Sequence, residues 1–148
     1  MRILAASDSV SSRDAVIDRL SDRPLPAGTC VELVGVVHSE IPVVPDPAFA
    51  MVAAHEEQIR RQREHLPSEL EAGARSIRQT SPSANVTWKL LEGRPADVIL
   101  EEARRWQATA ILVGATDRSA VADTLLQSTA DTVAARAMVP VEIVAPCA

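Results

Sequence analysis

Hydrophobic residues along the chain concentrate in five short runs, which polar, charged or proline-rich segments separate. The runs are rich in β-branched and other aliphatic residues and are too short for typical helices. This composition is typical of strands that are buried on both faces of a parallel sheet. We predict the strands at residues 2–7, 31–37, 86–91, 110–114 and 139–144.

The segments between these runs carry apolar residues at helical spacing and show helix signals at their ends. Ser11 and Asp14 have the spacing of a capping box at the start of the first helix. Pro95 suits the first turn of a helix at 95–107, and a further helix is predicted at 121–137. Strands and helices are therefore expected to alternate along the chain.

The helical segment at 48–79 is long and highly charged. Pro67 lies inside it, and we expect a break or kink just before this residue because proline cannot continue the backbone hydrogen bonds of a helix. The charges favour a solvated helix face with i,i+4 ion pairs, each worth a few tenths of a kcal/mol. Two pairs with this spacing are Glu56–Arg60 and Glu57–Arg61.

The alternation of strands and helices predicts an α/β fold with a parallel sheet and helices on both faces. The 148 residues, 47% of them hydrophobic, suit a single domain at 1–148. Such sheets bind ligands beyond the carboxyl ends of their strands, where the strand order reverses. The loops after the first and fourth strands, which contain Asp8 and begin at Gly114, are therefore the candidate site.

The charge balance argues against a nucleic-acid-binding protein. The net charge is −5, whereas a duplex-DNA binder needs clustered Lys and Arg to contact phosphates. One Phe, two Trp and no Tyr offer little aromatic surface on which single-stranded bases could stack. We therefore expect no nucleic-acid partner.

Signals for metal binding, membrane insertion and export are absent from the sequence. The two cysteines and three histidines lack the CxxC, HxH and HExxH spacings of metal sites. Apolar stretches fall short of the ~18 residues of a membrane span, and the chain opens directly into a strand-like run. We expect a cytoplasmic protein with no metal and no membrane partner.

Five segments carry the most distinctive sequence of the chain. They are, in order, ILAASDS, ELVGVVH, EGRPADVILEEA, ATAILVGATD and STADTVAARAMVPVEIV. In this order and spacing they resemble the universal stress protein family, over nearly the whole chain. The resemblance implies a single three-layer domain of the adenine nucleotide alpha hydrolase-like type, with five parallel strands in the order 3-2-1-4-5. Members of this family are usually dimeric, and some bind ATP.

The loop after the fourth strand departs from the motif of the ATP-binding members. Their Gly-x2-Gly-x9-Gly-(Ser/Thr) motif lets backbone N–H groups approach phosphate oxygens. The corresponding positions here are Gly114, Asp117, Gln127 and Ser128. Asp117 would repel a phosphate and Gln127 adds a side chain where close approach is needed, although Arg118 could fold back onto a phosphate. The resemblance therefore implies weak or absent ATP binding.

The nucleoside end of the pocket is better preserved. In nucleotide-binding members the Asp at the end of the first strand contacts the nucleoside, and its match here is Asp8. Val36 occupies the position that lines the adenine site. An equally weighted alternative is that Asp8 satisfies backbone N–H groups at the start of the next helix. A pocket of this kind would favour AMP or adenosine over ATP.

The fifth strand is the last of the predicted sheet and has an apolar face. Val139, Val141 and Ile143 lie on one face and Val144 on the other. An apolar edge strand is prone to aggregation unless another element covers it. Family members commonly pair this strand with its copy across a two-fold axis, so we expect a homodimer through residues 139–144.

The preferred hypothesis is a non-enzymatic, dimeric universal stress protein with a regulatory or protective role. The alternative keeps the fold but makes the chain a nucleotide-binding member, with ATP or AMP as ligand and at most slow ATPase activity. A third hypothesis, an ATP-pyrophosphatase-type enzyme, fails because the loop at 4–9 lacks the Ser and two glycines that hold pyrophosphate. No histidine is placed beside Ser9, Ser119 or Ser128, so we predict no catalytic residue.

Overall fold

Strands and helices alternate in the computed structural model, which describes residues 1–7, 10–39, 49–115 and 129–145. The strands are β1 (Arg2–Ser7), β2 (Cys30–Val37), β3 (Asn85–Glu92), β4 (Ala110–Gly114) and β5 (Val141–Val144). The helices are α1 (Val10–Ser21), α2 (Phe49–Thr80), α3 (Pro95–Arg105) and α4 (Thr129–Arg136). Every predicted strand is therefore confirmed, and its ends shift by no more than two residues.

The five strands pair in parallel in the order β3-β2-β1-β4-β5, which confirms the predicted sheet. β1 occupies the centre because it pairs with β2 on one side and β4 on the other. Leu4 of β1, for example, lies opposite Glu32 of β2 and Ile111 of β4. The apolar run in β1 is what a strand covered on both faces requires.

Two apolar layers flank the sheet and give the predicted three-layer arrangement. On one face, Ala5 of β1 joins a cluster with Val16 of α1 and Leu70 of α2. On the other face, Leu4 joins a cluster with Ile99 of α3 and with residues of α4. Because neighbouring strand residues point to opposite faces, one short aliphatic run serves both layers.

Helix α2 continues through Pro67, so the predicted break is wrong, whereas a kink just before this residue stays a prediction. Leu66 and Leu70 lie on either side of the proline, and both are buried against the sheet. The contact is close: a Cβ placed on Gly35 of β2 would lie 2.9 Å from Leu70 Cδ1. Packing on both sides of the proline therefore holds the helix together despite the backbone hydrogen bond that proline removes.

The helix signals in the sequence locate one helix start correctly and miss another. Pro95 is the first residue of α3, as predicted. The predicted capping box is wrong, because α1 already includes Val10 and Ser11 lies inside the helix rather than at its cap. Asp14 consequently lies in the second turn of α1.

The exposed side of α2 contains one of the two predicted ion pairs. Arg61 Nε donates to Glu57 Oε1 at 3.3 Å, as predicted. Arg60 hydrogen-bonds Glu57 and Glu64, and its predicted partner Glu56 is not among these contacts. Such exposed pairs contribute less than about 1 kcal/mol each. Like the other helices in the described ranges, α2 lacks the long apolar stretch that crossing a membrane requires.

Candidate functional site

The carboxyl ends of β1 and β4 meet where the strand order reverses. From β1 the chain passes to β2 and β3 on one side of the sheet, and it later returns to β4 and β5 on the other. Crevices at such reversal points are where open α/β sheets bind ligands. β1 ends at Ser7 and β4 ends at Gly114, so these two residues mark the candidate site.

Gly114 lets the first turns of α1 approach the end of β4. A Cβ placed on Gly114 would lie 2.6 Å from both the Cβ and the carbonyl oxygen of Ser12, a distance that side chains do not adopt. Ser12 itself is fully buried in α1. Packing therefore requires a glycine at this position, whatever the loop that follows it binds.

Ser7 is a further candidate residue at this edge that was not predicted from the sequence. Its side chain is 2% exposed at the end of β1, and within the described residues its Oγ has no hydrogen-bond partner. A buried hydroxyl normally finds a partner, because leaving it unpaired costs free energy. The available sequence signal was a polar residue that ends a buried strand at the reversal point.

Val36 lies in an apolar layer beneath the carboxyl edge of the sheet. It is buried near the end of β2, in one cluster with Ala6 of β1 and Val113 of β4. These three strands are neighbours, with β1 in the middle. The layer gives the reversal point an apolar base on the α3 side of the sheet.

An ion pair between a buried arginine and an exposed glutamate joins α1 to α2 close to this edge. Arg13 follows Ser12 in α1, and its side chain is buried although it is charged. Its Nη1 donates to Glu69 Oε2 of α2, while its buried Nε has no partner among the described residues. Because a buried guanidinium is costly without a counterion, this contact fixes the position of α1 relative to α2.

The structure places two of the seven predicted site residues. Val36 and Gly114 both lie near the carboxyl ends of strands that flank β1, and their role in nucleotide binding stays a prediction. The other five lie outside the described residues, and their roles stay predictions: Asp8, Asp117, Arg118, Gln127 and Ser128.

Two surface cavities lie at the opposite edge of the sheet, where the strands begin. One, of about 200 Å³, lies between the ends of α3 and α4 and is lined by Arg104 and Gln107 among others. The other, of about 350 Å³, is lined by Ile3, Leu112 and Val141 among others, and it adjoins β5. Neither cavity contains a residue of the predicted site.

Comparison with known families supports the resemblance found in the sequence. The model of the universal stress protein family matches residues 1–145. No curated protein matches the chain significantly in sequence.

Several solved structures share the fold over nearly the full chain. The hypothetical protein MJ0577 is 18% identical, with a TM-score of 0.72 over 99% of this chain and 96% of its own. A universal stress protein in complex with cAMP is 19% identical, with a TM-score of 0.65 over 99% and 98%. A universal stress protein family protein from Arabidopsis thaliana with AMP bound is 14% identical, with a TM-score of 0.56 over 100% and 93%. At these identities the likeness establishes the fold alone.

Proposed function

We propose that this chain, which belongs to the universal stress protein family, is a non-enzymatic dimeric module with a regulatory or protective role and weak or absent ATP binding. The observation that carries the proposal is a contrast within the candidate site. Gly114 matches the first glycine of the ATP-binding motif, and close packing of α1 against it also requires a glycine there. Two positions that the ATP-binding motif fills with glycine, however, hold Asp117 and Gln127.

These two substitutions act against the phosphates of ATP. Two negative charges about 4 Å apart repel by about 1 kcal/mol in water and by several times more where water is excluded. Gln127 adds a Cβ and an amide where backbone N–H groups would have to approach a phosphate. Both effects act on the phosphate groups, so they weaken the binding of ATP more than the binding of a ligand with fewer phosphates.

Binding of a smaller adenine nucleotide is a second candidate function. The apolar layer of Val36, Ala6 and Val113 offers a surface for a base, and Asp8 is the residue predicted to contact the nucleoside. The Ser7 hydroxyl adds a buried hydrogen-bonding group at the same edge. Two solved structures of this fold hold cAMP and AMP, ligands with a single phosphate.

The dimer is proposed to form through β5. This strand pairs with β4, and its other edge has no strand partner in the described sheet. Ile143 is 42% exposed and Met138, just before the strand, is 94% exposed. An uncovered apolar edge of this kind favours pairing with a second copy.

Light scattering tests this dimer. It should give a dimer mass for the wild type and for the control Glu101→Lys, and a monomer mass for Ile143→Lys. A monomeric wild type would rule the dimer out.

Calorimetry on a loop variant tests the account of the phosphate site. Restoring glycine at both positions, in Asp117→Gly/Gln127→Gly, should strengthen ATP binding by at least tenfold, because repulsion and bulk are removed together. AMP affinity should change less, since the substitutions lie at the phosphate end. Glu101→Gln on the exposed side of α3 serves as the control. An ATP affinity that does not respond to the two glycines would contradict the proposal.

A further inference from the structure

Two glutamates are buried between the sheet and α3, far from the carboxyl edge. Glu32 of β2 is 8% exposed, and Glu102 of α3 is 4% exposed. Their side chains meet because Glu32 shares a face of β2 with Val34 and Val36, which pack in the cluster formed with α3. A buried carboxylate needs a counterion or hydrogen bonds. The distribution of partners therefore decides which of the two carries the charge.

Glu102 receives the hydrogen bonds of two cations. Lys89 Nζ of β3 lies 3.2 and 3.3 Å from its two carboxylate oxygens. Arg105, one turn further along α3, donates from Nε at 3.1 Å and from Nη2 at 2.5 Å. These four charge-assisted contacts compensate the buried Glu102 carboxylate.

Glu32 has no comparable compensation. Its Oε2 is buried and has no hydrogen-bond partner within the described residues. Arg2 of β1 also faces this carboxyl, but its Nε donates to the Trp106 carbonyl at 3.0 Å and its guanidinium lies 4.3 Å from the centre of the Trp106 ring. The charged groups that act on Glu32 are thus Arg2 from β1 and Glu102 and Arg105 from α3. Lys89 of β3 contacts Glu102 at the same interface.

We propose that Glu32 and Glu102 form a proton-binding site, in which Glu32 holds one proton and uses it to donate a hydrogen bond to the Glu102 carboxylate. Glu32 takes this proton from hydronium in the solvent: its O–H bond forms as an O–H bond of hydronium breaks, and the other product is water. Burial, followed by the charge of Glu102 and the hydrogen bond to it, raises the pKa of Glu32 to about 7, while Arg105 and Arg2 act in the opposite direction. Compared with the ordinary value of 4.5, proton binding is roughly 300-fold tighter.

The shared proton makes the packing of α3 sensitive to pH near neutrality. α3 carries Glu102, and Glu32 belongs to the sheet beneath it. When Glu32 loses its proton, two carboxylates face each other across this interface and repel. The contact between α3 and β2 is therefore expected to be tightest below neutral pH and to loosen above it.

NMR of the side-chain carboxyl carbons of the intact protein tests the proposal directly. In a titration from about pH 4 to about pH 9, we expect one glutamate to titrate near pH 7, about 2.5 units above an ordinary glutamate. Its signal should be missing from Glu32→Gln. Titration of every glutamate in the wild type below about pH 5.5 would overturn the proposal, and this result needs no variant to fold.

A second variant tests whether Glu102, and not burial alone, raises the pKa of Glu32. In Glu102→Gln the repelling charge is gone, and Lys89 and Arg105 lose their carboxylate partner. The titration midpoint of the Glu32 carboxyl should then fall by at least about one pH unit. Glu101→Gln, an exposed substitution one residue away on α3, should leave it unchanged. An unchanged midpoint in Glu102→Gln would show that the proton is not shared and would overturn the proposal.

Discussion

Replacing Glu32 with glutamine removes one titrating group from beneath α3 but keeps its size and its ability to donate a hydrogen bond to Glu102. In the folded wild type the pKa of Glu32 is about 7, above the ordinary value of 4.5. The folded state therefore binds the proton more tightly than the unfolded state. The stability that results is fully present below about pH 4.5 and is lost as the pH rises through 7.

The size of this effect follows from the two pKa values. One pKa unit corresponds to about 1.4 kcal/mol, and Glu32 titrates about 2.5 units higher in the folded state. Between pH 5 and pH 8 the wild type should lose roughly 2–3 kcal/mol through this group. Glu32→Gln cannot titrate, so its free energy of unfolding should rise by that amount relative to the wild type over the same interval.

Urea unfolding at pH 5 and at pH 8, at constant ionic strength, measures this difference. Glu101→Gln provides the matched control, because it makes the same chemical change on the exposed side of α3. Its free energy of unfolding should follow the wild type at both pH values. The reasoning is refuted if Glu32→Gln loses as much stability between pH 5 and pH 8 as the wild type does.

Four further substitutions test local packing through the free energy of unfolding in urea. Gly114→Ala should lower the free energy of unfolding by roughly 1–3 kcal/mol, because the new Cβ would lie 2.6 Å from the backbone of α1. A urea midpoint equal to that of the wild type would contradict this close contact. Gln107→Gly should raise the free energy of unfolding by about 1 kcal/mol, since Gln107 has a φ of +59° at the end of α3, where glycine is favoured. A loss of stability would show that the Gln107 side chain stabilises the fold by more than its backbone conformation costs. Glu69→Ala should lower the free energy of unfolding by about 2 kcal/mol, because it leaves Arg13 buried without a carboxylate. Glu142→Ala, which removes one partner of an exposed ion pair, should lower it by less than about 1 kcal/mol. Equal losses for the two variants would be inconsistent with the burial of Arg13.

The pattern of aliphatic runs was sufficient to predict the strands and their parallel pairing. Each run is short and is covered on both faces, so burial and chain length leave few alternatives to a strand. The order of the strands came from the family resemblance, since alternation alone is compatible with several orders. Pro67 shows where local rules fail: the packing of Leu66 and Leu70 against the sheet outweighs the preference of proline to end a helix.

The buried charges could not be predicted from the sequence. Glu32 interrupts an aliphatic strand, which was the available signal, but Lys89 and Glu102 lie more than fifty residues further along the chain. Only the register of β2 and β3 and the packing of α3 bring these groups together. The candidate site shows the same limit, because the need for glycine at position 114 depends on how closely α1 packs against β4.

We propose that this universal stress protein binds ATP weakly or not at all. The most direct measurement is to purify it without added nucleotide, extract it with acid, separate the extract by nucleotide chromatography, and titrate the protein with ATP by calorimetry. The account predicts no stoichiometric ATP in the extract and a dissociation constant well above micromolar, on the order of 1 mM, equivalent to about −4 kcal/mol. Stoichiometric ATP in the extract, or ATP binding at micromolar affinity, would contradict it and would show that the loop after Gly114 has another means of holding phosphate.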